Sequence, residues 1–165
     1  MHVLAIADTH VDDQRGIDRL LDRLADRLAA ADAVLHAGDV TAAPVLDALA
    51  AVVPVHAVRG NNDRRLDRPE ELHVELAGVR VAMVHDSGPK FGRARRLRRR
   101  FPDADVVVFG HSHLPWHETH KESGHVQHHV NPGSAMQRRR APTCTVAWLH
   151  LVDGQVVGVR HEPVG

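Results

Sequence analysis

Acidic, amide and imidazole side chains recur in five short motifs, and each motif follows a short apolar run rich in β-branched residues. Such runs are typical of buried strands, so each motif is expected where a strand ends and a loop begins. Carboxylate, amide and imidazole groups are ligands for divalent cations, and the motifs together predict strand ends that meet around a pair of cations. The motifs are Asp8-Thr9-His10, Gly38-Asp39, Gly60-Asn61-Asn62-Asp63, Met83-Val84-His85 and Gly110-His111-Ser112-His113.

Two pairs of these residues have the spacing of chelating ligands. Asp8 and His10, like His111 and His113, are two residues apart, which on a strand points both side chains to one face. Asp39 has two carboxylate oxygens and is therefore able to bridge two ions. Oxygen and nitrogen ligands without thiolate favour Mn²⁺, Fe²⁺, Co²⁺, Ni²⁺ or Zn²⁺ and disfavour Ca²⁺.

The first part of the chain alternates apolar runs with amphipathic segments, which predicts a β-α-β-α-β order. Strands joined by helical crossovers lie parallel, and ligands of such sheets gather beyond the carboxyl ends of the strands. Gly38, Gly60 and Gly110 let the backbone turn sharply into the motifs. We expect strands at residues 3–7, 33–36 and 54–58, and helices at about 17–28 and 44–51, with Thr41 as candidate N-cap of the second helix.

The second part of the chain is expected to contain one more helix and a second sheet. Ala77-Gly78 predicts the turn of a hairpin, and Phe91, Ala94, Leu97 and Phe101 recur at near-helical spacing as a core face. Four late polar stretches are expected to be antiparallel strands of the second sheet. The segments are a hairpin over 72–76 and 79–84, a helix over about 89–101, a buried strand over 105–109, and the four late strands over 116–121, 126–130, 144–151 and 156–161.

The order of the motifs, D-x-H, G-D, G-N-x-D, H and G-H-x-H, resembles the calcineurin-like metallophosphoesterases. The small size and the later Asn131-Pro132-Gly133-Ser134 are similar to the bacterial and archaeal phosphodiesterase branch of that family. The resemblance runs from Asp8 to Ser134. It implies an α/β fold, a two-sheet β-sandwich flanked by helices, and we expect residues 1–165 to form a single metallophosphoesterase domain.

The resemblance also implies a ligand set and a reaction. A metal-dependent phosphoesterase is expected, with a phosphodiesterase preferred, in which a hydroxide that bridges two divalent ions attacks phosphorus. Mn²⁺ is the first expectation, with Fe, Ni, Co or Zn as alternatives. Catalysis through this hydroxide is assigned to Asp39, Asn61 and His85, and Asp63 is expected to orient Asn61 or its loop. The first ion would be held by Asp8, His10, Asp39 and His113, and the second by Asp39, Asn61, His85 and His111.

Two positions depart from the family pattern. Many relatives have a histidine after the motif asparagine that is able to protonate the leaving group, whereas this chain has Asn62. Many also have Gly-His after the ligand histidine, where this chain has Asp86-Ser87. We therefore expect a preference for activated leaving groups such as aryl phosphodiesters.

The composition limits the class of partner. Lys+Arg and Asp+Glu both total 21, which argues against a nucleic-acid coat or a membrane-surface protein. The single cysteine, Cys144, fits a reducing compartment, and the first residues lack the pattern of a signal peptide, so a cytoplasmic location is expected. The expected partner is a small phosphoester substrate, with nucleic acid only as a nucleotide-type substrate, no membrane, and a homo-oligomer as a possibility.

Other functions and further charged groups remain open. The same fold would serve a phosphomonoesterase, a dinucleotide hydrolase or a non-catalytic interaction scaffold, and the arginine-rich helix would serve a nucleic-acid-binding module. The six arginines of residues 93–100 are interpreted as a solvated basic face, and Arg138-Arg139-Arg140 either as a similar face or as an approach to substrate. His117, His120, His125, His128 and His129 are interpreted as polar strand faces and hairpin loops rather than as a further metal site.

Overall fold

Ten strands and three helices make up the computed structural model, which describes residues 1–165. In chain order they are β1 (His2–Ile6), α1 (Gln14–Ala30), β2 (Ala33–His36), α2 (Ala43–Ala50), β3 (Val55–Ala57), β4 (Glu71–Leu76), β5 (Val79–Val84), α3 (Arg93–Arg100), β6 (Val106–Val108), β7 (Trp116–Glu122), β8 (His125–Asn131), β9 (Cys144–Val152) and β10 (Gln155–Val164). The first sheet has the order β10-β9-β1-β2-β3, and the second has the order β4-β5-β6-β8-β7.

The two sheets pack face to face, with helices on both outer sides. Val3 and Ala5 of β1 share one apolar cluster with Met83 of β5 and Val108 of β6, because alternate residues of a strand point to opposite faces. The other face of β1 packs in a second cluster with α1 and α2. On the far side, α3 covers the second sheet through Leu97. The predicted α/β sandwich flanked by helices is therefore confirmed.

Parallel pairing brings the carboxyl ends of several strands to one edge of the sandwich. β1, β2 and β3 are parallel through the crossovers α1 and α2, and β5 is parallel to β6. The first two loops continue the ladder beyond the strands, since the amide of Asp8 donates to the carbonyl of Gly38 at 2.9 Å and that of His10 to the carbonyl of Asp39 at 3.0 Å. The loops that follow the neighbouring strands β1 and β2 are thus held next to each other.

The late strands do not form one sheet, contrary to the sequence-based expectation. The β7–β8 hairpin joins the second sheet, where β8 pairs in parallel with β6, while β9 and β10 join the first sheet beside β1. Val146, Ala147, Leu149 and Leu151 of β9 are all buried, as expected of a central strand. Alternation in a sequence identifies a strand but not its partner, because sheet pairing joins residues that are distant in the chain.

Three local predictions were also wrong. Thr41 does not cap α2: the N-cap is Ala42, and the Thr41 hydroxyl donates instead to the carbonyl of Val11 at 2.7 Å. The last helix starts at Arg93 rather than near residue 89, after Gly92 in a left-handed conformation. Phe91 therefore lies outside the helix and is 95% exposed instead of packing in the core. None of the three helices combines the length and the apolarity that a membrane crossing requires.

Candidate metal centre

All seven predicted ligands come together at the edge where the parallel strands end. Each lies in a loop that directly follows a strand, and the strands in question are neighbours within their sheets. Their ligand atoms form two groups that share one carboxylate oxygen. The residues are Asp8 and His10 after β1, Asp39 after β2, Asn61 after β3, His85 after β5, and His111 and His113 after β6.

The first group contains Asp8, His10 and His113. The Nε2 atom of His113 lies 3.3 Å from Oδ1 of Asp8 and 3.3 Å from Nε2 of His10. The same His10 nitrogen is 4.0 Å from Oδ1 of Asp8 and 3.5 Å from Oδ2 of Asp39. The spacing of Asp8, His10 and His113 is that of a group able to hold a metal ion.

The second group surrounds the side-chain oxygen of Asn61. This Oδ1 atom lies 3.2 Å from Nε2 of His85 and 3.0 Å from Nδ1 of His111. Oδ2 of Asp39 is 3.4 Å from Nε2 of His85, so one oxygen of Asp39 faces both groups. Asp8, Asp39 and His85 also meet the spacing of a metal-binding group, which places the two groups side by side.

Backbone carbonyls fix which nitrogen of two histidines faces the centre. Nδ1 of His85 contacts the carbonyl of Ala37 at 2.8 Å, and Nδ1 of His113 contacts the carbonyl of Gln137 at 2.6 Å. A carbonyl only accepts, so both Nδ1 atoms carry a proton. When such a ring is neutral, its lone pair is on Nε2, and these Nε2 atoms lie 3.2–3.4 Å from oxygens of Asp8, Asp39 or Asn61. Lone pairs on nitrogen and oxygen atoms that face each other repel, and a cation between them removes this repulsion. Hydrogen bonds to backbone carbonyls of this kind orient metal-binding histidines.

Asp8 supplies the most direct sign that a cation fits this centre. Its side chain is fully buried, and neither carboxylate oxygen has a hydrogen-bond partner. Burial raises the pKa of Asp8 to about 7. A buried carboxylate without a partner is costly, and a bound divalent ion removes that cost. Asp8 therefore fits a metal-ligand role better than a structural one.

Asp39 is held in its charged form. Burial alone would raise the pKa of Asp39, but hydrogen bonds from the His85 ring in its doubly protonated form and from Asn62 outweigh it and hold the pKa well below its usual range. The backbone amide of Asn62 donates to Oδ1 at 2.9 Å, and its side-chain amide donates to Oδ2 at 2.6 Å. Asn62 thus contacts the carboxylate that faces both groups.

The ligand loops have an unusual backbone conformation that the sequence did not reveal. Five of the seven ligands have positive φ angles, at 53°, 48°, 55°, 68° and 58° for Asp8, His10, Asp39, His111 and His113. Residues other than glycine adopt positive φ angles at a cost of about 1 kcal/mol or more, and such strain clusters at functional sites. The alternation of side chains along a strand therefore does not set the direction of these ligand side chains. His111 and His113 are two residues apart, yet His111 lies in the second group and His113 in the first.

Two motif glycines are required by close approach of the ligands. A Cβ atom on Gly60 would lie 2.2 Å from Oδ1 of Asp39, and one on Gly38 would lie 2.7 Å from Nδ1 of His85. Gly38 also has a φ angle of 89°. Side chains at either position would push the ligands apart.

Asp63 joins two of the ligand loops and does not contact the Asn61 side chain. Its carboxylate accepts from the backbone amides of Val40 at 3.2 Å, Thr41 at 2.6 Å and Gly60 at 2.7 Å. Because the first two follow Asp39 and the third precedes Asn61, Asp63 fixes the distance between the two loops.

Two polar supports of the centre were missed at the level of sequence. The Ser134 hydroxyl donates to the carbonyl of Asp8 at 2.7 Å, and the Asn131 amide donates to the carbonyl of Gly110 at 2.7 Å. Both belong to the Asn-Pro-Gly-Ser sequence at residues 131–134, which contributed to the family resemblance. The carbonyl of Gln137 had no sequence signal at all, since every residue type provides one. The five histidines between residues 117 and 129 belong to neither metal-binding group.

Comparison with known proteins agrees with this geometry. Residues 1–154 match the calcineurin-like phosphoesterase superfamily domain, and the chain belongs to this family. A probable metallophosphoesterase from Methanothermobacter thermautotrophicus is 31% identical over 120 residues, which are 70% of this chain and 69% of that protein. The resemblance seen in the motifs is thereby confirmed.

Solved structures extend the similarity over nearly the whole chain. An archaeal phosphodiesterase has a TM-score of 0.70 and 18% identity, with 99% of both chains covered. Vps29 from Entamoeba histolytica, solved in complex with Zn²⁺, has a TM-score of 0.69 and 22% identity, with 98% of this chain and 97% of that chain covered. At these identities the similarity establishes the fold alone.

Proposed function

We propose that this chain is a phosphodiesterase with a dinuclear metal centre, which hydrolyses small phosphate esters. The observation that carries the proposal is the arrangement of the two carbonyl-fixed histidines, His85 and His113, whose Nε2 atoms lie 3.4 Å from an oxygen of Asp39 and 3.3 Å from an oxygen of Asp8 respectively. Nitrogen and oxygen donors grouped at this spacing are able to hold a metal ion.

Two divalent ions would acidify an attacking water and neutralise the phosphoryl oxygens. The protein residues perform separate tasks around them. Asp39 presents one oxygen to both groups, and Asn61 presents its carbonyl oxygen to His85 and His111. Asp8, His10 and His113 would complete the first ligand group. Mn²⁺ is the proposed ion, and Fe, Ni, Co or Zn would suit the same donor set.

The preference for diesters rests on two clefts beside the centre. One cleft of about 290 Å³ is lined by Asn61, His85 and His111 of the second group. Another of about 290 Å³ is lined by His10 of the first group and by Gln137. A phosphodiester has two substituents on phosphorus and a monoester has one, so a cleft beside each ligand group suits the diester.

Asn62 limits the leaving groups that this centre would release. Its side-chain amide is directed to Asp39, and an amide does not supply a proton near neutral pH. Esters of acidic alcohols, such as aryl phosphodiesters, do not need protonation of the leaving group. They are therefore the proposed substrate class for a first assay, and the cytoplasm and a homo-oligomer remain our expectations for the location and assembly.

A non-catalytic scaffold is the second candidate function, and the similarity in fold to Vps29 is the observation that favours it. A scaffold has no need of five strained ligand residues or of a buried carboxylate without partners. A phosphomonoesterase or a dinucleotide hydrolase would use the same centre and would differ in which parts of the substrate the clefts bind. Substrate profiles distinguish these enzymes from the phosphodiesterase.

The test is hydrolysis of aryl phosphodiesters and monoesters by the metal-free protein, to which Mn²⁺, Ni²⁺, Zn²⁺ or Mg²⁺ is added singly. We expect diester hydrolysis with Mn²⁺ and a loss of about 100-fold or more in Asp39→Asn, because the shared oxygen loses its charge. Asp67→Asn is the matched control, since Asp67 is an exposed acid in the loop after Asn61. Full activity in Asp39→Asn would exclude the dinuclear mechanism, and no activity together with no bound metal would favour the scaffold.

A further inference from the structure

The cleft beside the second ligand group is lined mainly by polar and charged residues. Nine residues line it, and Val84 is the only hydrophobic one among them. Three of the others are the metal ligands Asn61, His85 and His111. An aryl or alkyl group bound here would find little apolar surface to pack against. The cleft is therefore suited to a polar part of the substrate.

Two arginines at the wall of this cleft are each paired with a glutamate. Nη2 of Arg59, in the loop after β3, lies 2.6 Å from Oε1 of Glu70. Arg100, at the end of α3, donates to Glu71 through Nε and Nη2. The backbone amide of Arg59 also donates to the carbonyl of Pro69 at 2.9 Å, which ties the loop after β3 to the segment that precedes β4. These contacts position both guanidinium groups at the cleft.

Asp86 adds a carboxylate to the same cleft, at a position where the sequence departs from the family pattern. Asp86-Ser87 stands where many relatives have Gly-His after the ligand histidine. Oδ1 of Asp86 accepts from the backbone amide of Gly88 at 2.7 Å, and Oδ2 has no partner within the protein. Asp86 belongs to neither metal-binding group. Its carboxylate is therefore free to accept a further hydrogen bond in the cleft.

The charges of the residues that line the cleft balance. Arg59 and Arg100 are positive, whereas Glu70 and Asp86 are negative. A second phosphate group would meet acids as well as arginines, and an ammonium group would meet arginines as well as acids, so neither gains a net attraction. A hydroxyl group both donates and accepts, which matches carboxylates that accept and guanidinium groups that donate. Arg59 has donors available, because its pair with Glu70 uses Nη2 alone.

We propose that this cleft binds a substituent of the phosphodiester that carries hydroxyl groups, as in a glycerol or a sugar ester. Asp86 accepts hydrogen bonds from these hydroxyl groups, and Arg59 donates to them. The inference rests on the proposed phosphodiesterase function and names the class of its substrate. It gives the metal ligands the task of binding the phosphate, and it gives Asp86 and Arg59 the task of selecting the substituent.

The experiment compares p-nitrophenyl phosphodiesters in the Mn²⁺-loaded protein. In each of them p-nitrophenolate leaves, so only the substituent that stays on phosphorus differs. One pair has a glyceryl or an n-propyl group, and the other has a ribonucleoside or its dideoxy analogue. We expect kcat/KM to be higher by roughly tenfold or more for the hydroxylated member of at least one pair, since its hydroxyl groups bond to charged side chains. The pair that shows the preference distinguishes a glycerol ester from a sugar ester.

Two variants test where the hydroxyl groups bind. Asp86→Ala and Arg59→Ala should each bring the ratio of kcat/KM within the discriminating pair closer to one. A loss of metal or of folded protein affects both substrates equally and cancels in this ratio. Asp12→Ala is the matched control, because Asp12 is an exposed acid in the cleft beside the first ligand group. It should keep the ratio of the wild type.

Equal kcat/KM values within both pairs would overturn the proposal. A ratio that falls in Asp12→Ala alone would overturn it as well, because the hydroxyl groups would then lie in the other cleft. If the wild type hydrolyses no phosphodiester, the proposed function fails, and calorimetry tests the cleft separately. Glycerol phosphate should then bind the Mn²⁺-loaded protein more tightly than propyl phosphate, and equal affinities would overturn the inference.

Discussion

Asn62 and the two carbonyl-fixed histidines show how single atoms define this centre. Nδ1 of His85 and of His113 each donates to a backbone carbonyl, which directs Nε2 of both rings toward the candidate metal centre. Asn62 contacts Asp39 through both its backbone and side-chain amides. The centre is therefore well supplied with ligands and with groups that orient them. The amide of Asn62 does not supply a proton for the leaving group near neutral pH.

The Asn62→His variant tests that interpretation. An imidazole next to Asp39 would be able to protonate a departing alkoxide, and general acid catalysis contributes about 100-fold or more where it is well positioned. Because the contacts at residue 62 orient an amide rather than an imidazole, we expect a gain of roughly tenfold for alkyl leaving groups and little change for p-nitrophenolate. The measurement is kcat/KM across a series of phosphodiesters whose leaving groups differ in pKa.

Asn62→Gln is the control, since it keeps an amide and gains no acid. The slope of log kcat/KM against leaving-group pKa should become shallower in Asn62→His alone. An unchanged slope would remove the explanation that Asn62 restricts the substrates to activated esters.

At the level of elements, the sequence predicted most of the strands and their order because each strand is a local pattern. Motifs after β1, β2, β3, β5 and β6 predicted which side chains meet, since parallel strands end at a common edge. The sheet to which β9 and β10 belong was not predictable, because pairing with β1 depends on contacts far apart in the chain. The start of α3 was misjudged since helical spacing does not show that Gly92 is left-handed.

The ligand residues of the site were predictable from the sequence, but the contacts and backbone conformations that orient them were not. Ligand types stand out in a sequence as acids, amides and histidines after apolar runs. The supports are backbone atoms, such as the carbonyls of Ala37 and Gln137, and left-handed conformations of residues such as Asp39. Neither has a residue type of its own, so the tautomers of His85 and His113 became known only from the structure.

Asp63 connects two elements, and its removal should affect stability and metal binding together. The carboxylate is 1% exposed and accepts from three backbone amides, in the loops that follow β2 and β3. Hydrogen bonds to charged groups contribute about 1.5–3 kcal/mol each, with losses that are not additive. We expect Asp63→Ala to lower the free energy of unfolding by about 3 kcal/mol in urea titrations of the metal-free protein.

The affinity for Mn²⁺ should fall in the same variant because Asp39 and Asn61 are no longer held at a fixed separation. Asp67→Ala removes an exposed acid from the same loop and should change neither quantity. Wild-type stability in Asp63→Ala would show that the two loops are held by other contacts.

For the whole molecule, the centre is a source of instability that metal binding relieves. Asp8 is buried without a hydrogen-bond partner, and its pKa is raised from 3.8 to about 7 by burial. The pKa in the folded state lies above that in the unfolded state. The protonated carboxyl therefore favours the fold fully below about pH 4, and this contribution is lost as the pH rises to about 7.

Asp8→Asn separates this effect from the other titrating groups, because it replaces the carboxyl by a neutral group of the same shape. In the metal-free protein, the wild type should lose stability relative to Asp8→Asn between pH 4 and 7, by at most about 4 kcal/mol. With saturating Mn²⁺ the sign should reverse, since the ionised carboxylate binds the cation and the stabilisation grows with ligand occupancy. Urea unfolding at several pH values, with chelator and with Mn²⁺, measures both differences, and parallel curves for the two proteins in chelator would show that Asp8 is already ionised and partnered in the fold.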